Sequence, residues 1–216
     1  MASTHPDGFL ALPPTGTGSP VLVLHAWWGL NDTIKAICTR LAEAGFVAFA
    51  PDLYHGQVAR TIAEAETLGQ TLDENFRQAK AEVAEAAAYV VERAGPSERG
   101  LAVIALSLGG YYAVDLSLAD PETVHSVALF YAIGEGDFSQ SKAAYLGHYA
   151  EMDEFEPQDN VDSFEESLRE AGRPVTFYTY PGTKHWFIEP DRPQEYDPAA
   201  AELAWERTLA FLQRNR

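Results

Sequence analysis

Apolar and polar positions along this chain switch between two periods. Val21–Leu24 with Ala26–Trp28 is an apolar run without alternation, the pattern of a strand covered on both faces. Gly29 closes it. Ile34, Ile37, Cys38 and Leu41 then recur at i, i+3, i+4 and i+7, an amphipathic helical stripe with Asn31 or Asp32 as cap and Gly45 as stop. Phe46–Ala50 is a second buried strand, closed by Pro51-Asp52. Strand, helix, strand implies parallel pairing through a right-handed crossover. Tyr54–Thr71 reads as a loop. Asp73–Ala94 reads as one long helix with Phe76, Ala79, Val83, Ala86, Ala87 and Val90 on one face, ended by Gly95-Pro96. Strands follow at Leu101–Leu106, Val124–Ala132, Ala143–Ala150 and Pro174–Tyr180, with helices at Leu108–Ala119 and Asp159–Ala171. Asp197-Pro198 opens a final helix, with Asp as N-cap and Pro at its first position. No repeat or linker interrupts this order. The expectation is one α/β domain over residues 1–216, a mostly parallel sheet with helices on both faces, and a loose N-terminus over residues 1–7.

Composition narrows the function classes. Fifteen Lys and Arg against 32 Asp and Glu give a net charge of −17, a field that repels phosphate backbones, so no nucleic-acid partner is expected. Cys38 is the sole cysteine, which excludes an internal disulfide and a cysteine-built metal site. No H-x-H or H-E-x-x-H spacing suggests a metal either. No apolar run approaches the roughly 20 residues of a membrane span. The opening MASTHPDGFLALPP lacks the basic and apolar regions of a secretory signal, so a cytoplasmic protein with no membrane partner is expected.

In parallel sheets, chemistry gathers beyond the C-terminal ends of the strands. Val103–Gly110 is a strand turning directly into a helix, and Ser107 stands at the turn, where a tight elbow lifts its hydroxyl off the sheet. The familiar G-x-S-x-G becomes Ala105-x-Ser107-x-Gly109, and a serine that merely caps the helix is the competing reading. His185 follows the last strand through a Pro181-Gly182 turn, placed to exchange a proton with the serine or simply to sit at the surface. Asp153 ends a strand in an acidic turn and suits the orienting acid, with Glu151, Glu154 and Asp159 as nearby competitors. Ser107, Asp153, His185 is the nucleophile–acid–base order of α/β-hydrolases. His25 and His148 read as packing residues. Cys38 reads as buried on its helical stripe.

Five separated segments, His25–Leu30, Ala50–Gly56, the serine elbow, Gly147–Asp153 and Pro181-Gly182-x-x-His185-x-Phe187, together resemble the dienelactone hydrolase family. The resemblance runs from about residue 8 to the end. It implies an α/β-hydrolase fold, ester or lactone hydrolysis and no cofactor. It places the nucleophile at Ser107, the acid at Asp153, the base at His185, and the oxyanion hole at the backbone N–H groups of Leu108 and Trp27. Three positions depart from the family. Its nucleophilic cysteine is Ser107, the glutamate that activates that cysteine is Ala26, and the arginine that grips the substrate carboxylate is Glu189. Loss of the glutamate suits a serine, which is deprotonated only as it attacks. A carboxylate at Glu189 is expected to repel an anionic substrate.

The expected function is therefore a serine hydrolase acting on a small ester or lactone. Trp28 and Trp186 are candidate walls of the substrate pocket. Ile133–Lys142 is too short for a lid domain, which leaves Tyr54–Thr71 and Trp186–Asp197 to cover the site. The alternatives are a non-catalytic hydrolase-fold protein that binds a small ligand or partner, and a peptidase or thioesterase on the same machinery.

Overall fold

A computed structural model describes residues 5–95 and 100–215. Seven strands form one sheet. In chain order they are β1 (Gly8–Ala11), β2 (Ser19–Leu24), β3 (Phe46–Pro51), β4 (Leu101–Leu106), β5 (Val124–Phe130), β6 (Ala144–Met152) and β7 (Val175–Lys184). Their spatial order is β1-β3-β2-β4-β5-β6-β7, and only β1 runs antiparallel to its neighbour. The helices are α1 (Asp32–Glu43), α2 (Ile62–Glu74), α3 (Phe76–Ala94), α4 (Gly109–Ala119), α5 (Gln158–Glu170) and α6 (Pro198–Arg214).

The unalternating apolar runs have the expected cause. Val21 and Val23 of β2 pack into the core under α1 and α6, whereas Leu22 and Leu24 pack on the other face with α3, α4 and α5. All four are fully buried. A strand between two helical layers has no polar face to show. Cys38 lies in the α1 layer with no exposure, and burial pushes its thiol up to about 12. Asn31 is the cap of α1, accepting from the Ile34 N–H at 3.1 Å. Asp197 caps α6 through the N–H groups of Ala199 and Ala200.

Four expectations change. Tyr54–Thr71 is not all loop, because α2 starts at Ile62. Its signal was the capping box Thr61-x-x-Glu64, in which Thr61 Oγ1 accepts from the Glu64 N–H and Glu64 accepts from the Thr61 N–H. The long helix expected from Asp73 is broken at Asn75, whose side-chain amide donates to the Thr71 carbonyl at 2.8 Å and competes with the helical ladder. The last strand continues through Pro181-Gly182 to Lys184 by way of a bulge against β6, so no tight turn precedes His185. Gly182 takes φ 73°, and its N–H donates to Glu151 Oε2 at 2.8 Å. The N-terminus is tied rather than loose from residue 5: His5 packs on Tyr89, and the Asp7 carbonyl accepts from the Asp52 N–H before β1 begins. Residues 1–4 of that expectation, and Pro96 of the Gly95-Pro96 stop, lie outside the described residues. Among the described residues no helix is long and apolar enough to cross a membrane.

Candidate active site

The elbow grows out of the central strand. The Ser107 N–H continues the β4–β5 ladder by donating to the Phe130 carbonyl at 3.0 Å, and the Ser107 carbonyl accepts from the Gly110 N–H at 2.7 Å. These two bonds hold Ser107 at φ 46°, a left-handed conformation costing a non-glycine residue about 1–2 kcal/mol. The helix that follows passes so close to β2 that a Cβ on Gly109 would stand 2.8 Å from the Leu24 carbonyl oxygen. The methyl of Ala105 is fully buried in the core, so the lost motif glycine is absorbed by packing below the elbow.

Three side chains distant in sequence meet here. Ser107 Oγ donates to His185 Nε2 at 2.9 Å. On the other side of the ring, His185 Nδ1 donates to Asp153, 2.8 Å from Oδ2 and 2.9 Å from Oδ1. Asp153 Oδ1 also accepts from the N–H groups of Phe155 and Glu156, both at 2.9 Å. The competitors stand elsewhere. Glu151 turns to Gly182, Glu154 is exposed, and Asp159 lies in the first turn of α5. A carboxylate that already accepts two backbone donors is held in one orientation, and it fixes the tautomer of the imidazole it faces.

A cleft of about 260 Å³ opens above Ser107. Trp27, Leu108 and Trp186 line it, as expected from the sequence. Among the described residues nothing accepts from the backbone N–H groups of Trp27 and Leu108, so both donors are free beside the serine. Trp28 stands one layer back. It is buried, edge-on to Trp186 at 5.1 Å and capped by the Arg192 guanidinium at 3.4 Å, and it does not line the cleft. Sequence reasoning missed Tyr111, Tyr131, Phe155 and Glu156, which complete the walls. Only the proximity of the last two to Asp153 hinted at them.

Glu189 departs from expectation most. It has no exposure and does not line the cleft. Tyr131 Oη donates to its Oε1 at 2.6 Å. Burial pushes the Glu189 carboxyl up to about 8, only partly opposed by that bond. At neutral pH it is mostly a neutral acid below the site and not an anion facing substrate. Its partner Tyr131, at φ 41°, lays its ring 4.6 Å from His185. Of the two packing histidines, His148 is bonded to Tyr180 Oη and Thr208 Oγ1, and burial takes it down to about 3. His25 Nδ1 donates to the Ala26 carbonyl at 2.8 Å. Among the described residues no group of three or more His, Cys, Asp or Glu side chains is arranged to hold a metal ion.

A serine on a strained strand-to-helix turn, within a mostly parallel sheet covered by helices on both faces, defines an α/β-hydrolase fold. The model of the dienelactone hydrolase family matches residues 7–215. The chain is 32% identical over 213 residues to protein usf of Aquifex pyrophilus, covering 95% of this chain and 92% of that one. It is also 32% identical over 216 residues, with the same coverage, to an Aquifex aeolicus (strain VF5) protein provisionally named carboxymethylenebutenolidase. A crystal structure from Klebsiella pneumoniae subsp. pneumoniae MGH 78578, provisionally titled a dienelactone hydrolase, superposes with a TM-score of 0.80 at 25% identity, covering 94% of this chain and 90% of that one. The chain belongs to the dienelactone hydrolase family and is a hydrolase of the carboxylic ester type.

Proposed function

We propose that this protein is a serine hydrolase that cleaves small carboxylic esters or lactones through an acyl-enzyme. The observation that carries the reading is the continuous hydrogen-bonded run from Asp153 through His185 to Ser107, opening on a cleft with two free backbone donors. Ser107 Oγ attacks the substrate carbonyl carbon while His185 Nε2 takes its proton. The carbonyl oxygen becomes an oxyanion between the N–H groups of Leu108 and Trp27. One such donor contributes about 2.7–4 kcal/mol to the transition state. Asp153 keeps the imidazole in register and stabilises its cation. His185 then returns the proton to the leaving oxygen, which departs, and water, deprotonated by the same nitrogen, releases the acid and frees Ser107. The provisional names of the relatives favour lactones, and the aromatic walls favour compact acyl groups.

The experiment is labelling with a fluorophosphonate followed by mass spectrometry. The expected result is one adduct on Ser107, absent in Ser107→Ala and strongly reduced in His185→Ala. Asp153→Asn is expected to keep the fold and lower kcat for p-nitrophenyl butyrate by about 10⁴-fold. Folded wild-type protein with no adduct between pH 6 and 9 would overturn the reading in favour of a binding protein.

A further inference from the structure

Among the described residues Glu156 is the one carboxyl side chain lining the cleft above Ser107, and nothing in the mechanism uses it. Its backbone N–H donates to Asp153, which fixes where its side chain starts. Oε2 is buried, with no hydrogen-bond partner among the described residues. Such an atom costs about 1–3 kcal/mol until something bonds to it. Among the described residues no lysine or arginine lines the cleft. The neighbouring cleft, which shares Phe155, His185 and Trp186, carries Glu151, Asp153, Glu154 and Glu195 against Lys184. Burial, reinforced by Asp153, pushes the Glu156 carboxyl up to about 7, so in mild alkali it is an anion on the cleft wall.

We propose that Glu156 is a specificity-determining residue of this site, whose carboxylate on the cleft wall attracts an ammonium or hydroxyl group at the end of the acyl part of the substrate. The assignment rests on the serine-hydrolase reading for what is turned over. It makes the preferred acyl group neutral or cationic and polar at its far end, and disfavours a carboxylate there. A unit charge brought to about 5 Å of Glu156 in a half-open site changes relative affinity by about tenfold.

Three p-nitrophenyl esters with the same two-carbon spacer test this at pH 8: the butyrate (methyl end), the 3-aminopropanoate (ammonium end) and the hemisuccinate (carboxylate end). Wild type is expected to show kcat/KM in the order ammonium, methyl, carboxylate, with about tenfold between ammonium and methyl and again between methyl and carboxylate. In Glu156→Gln, which keeps shape and hydrogen bonding but loses charge, both ratios are expected to shrink to within about threefold. Equal rates for the three esters in wild type, or ratios retained in Glu156→Gln, would overturn the proposal. Butyramide, 3-aminopropanamide and succinamate repeat the charge series without turnover, their binding read from Trp27 and Trp186 fluorescence. The same order of affinities, flattened in Glu156→Gln, supports the assignment, and equal affinities overturn it. Absence of both ester turnover and fluorophosphonate adduct would sink only the serine-hydrolase reading, and the amide series still decides the role of Glu156.

Discussion

The elbow that carries Ser107 and the loop that carries His185 hold their residues by opposite means. The elbow is pinned by backbone against backbone: the ladder to β5, the first turn of α4, and the approach of Gly109 to the end of β2. The segment after His185, residues 186–197, has no strand or helix in it and is pinned mainly by side chains from elsewhere. Asp191 accepts from Asn31 Nδ2 at 3.1 Å and Thr33 Oγ1 at 2.8 Å, which clamps the loop to the start of α1. Arg192 lies over Trp28, and Glu189 is held by Tyr131. Backbone anchors are shared by nearly any sequence that makes the elbow. Side-chain anchors are specific, can be removed one at a time, and leave His185 the easier of the two partners to displace.

Breaking the elbow should cost most. In Gly109→Ala the new methyl meets main-chain carbonyls of Leu24 and His25 at 2.8 and 2.9 Å, atoms that cannot rotate away. Destabilisation of about 2–3 kcal/mol is expected in urea unfolding, together with a loss of ester hydrolysis of about 10²-fold. Retention of wild-type stability would show that α4 is free to shift, and the contrast with the loop would fail.

Loosening the loop should have a smaller and separable effect. Asp191→Ala removes the two part-buried hydrogen bonds to Asn31 and Thr33 and a longer one from Arg192, an expected loss of about 1–2 kcal/mol. Limited proteolysis should then cut within residues 186–197 while the rest of the chain resists, and kcat should fall by about tenfold. A uniform loss of protection over the whole chain would mean that the loop unfolds only with the sheet.

The smallest effect sharpens the role of Glu189. Its folded-state pKa of about 8 lies above the 4.5 of an ordinary glutamate, so between those values the folded protein binds more protons than the unfolded one. Stability is therefore favoured below about pH 4.5 and declines as pH rises towards 8. Glu189→Gln removes that titration. The variant should differ little from wild type near pH 5 and gain several degrees in relative Tm by pH 9, measured by differential scanning calorimetry. A Tm difference independent of pH would mean that Glu189 is already charged in the fold.

Ser107, Asp153 and His185 were legible because each follows a recognisable strand, and strands of a parallel sheet end at one rim. That Trp27 and Leu108 line the cleft was legible because both stand just past strand ends at that rim, whereas their pairing as oxyanion donors came from the family resemblance. Trp28 was misplaced because adjacent residues in a turn point in different directions, and the sequence does not say which one faces the cleft. The helix α2 escaped notice because its buried positions Ala65, Gly69 and Leu72 include two small residues, too faint a stripe to read. Its glycine seats the Trp27 indole, which a Cβ there would approach to 3.0 Å.

Period, caps and chain order by themselves determined the α/β-hydrolase layout and put Ser107, Asp153 and His185 at strand ends along one rim, because burial on two faces and the places where strands end are local properties written residue by residue. The tertiary structure alone decided which carboxylate lines the cleft. Glu189 follows the base in sequence yet is folded into the core, where desolvation favours its neutral form, whereas Glu156 follows the acid and lies on the cleft wall. Charge in a site depends on where the chain returns in space and on how much water it leaves there, and neither is recorded in the spacing of residues.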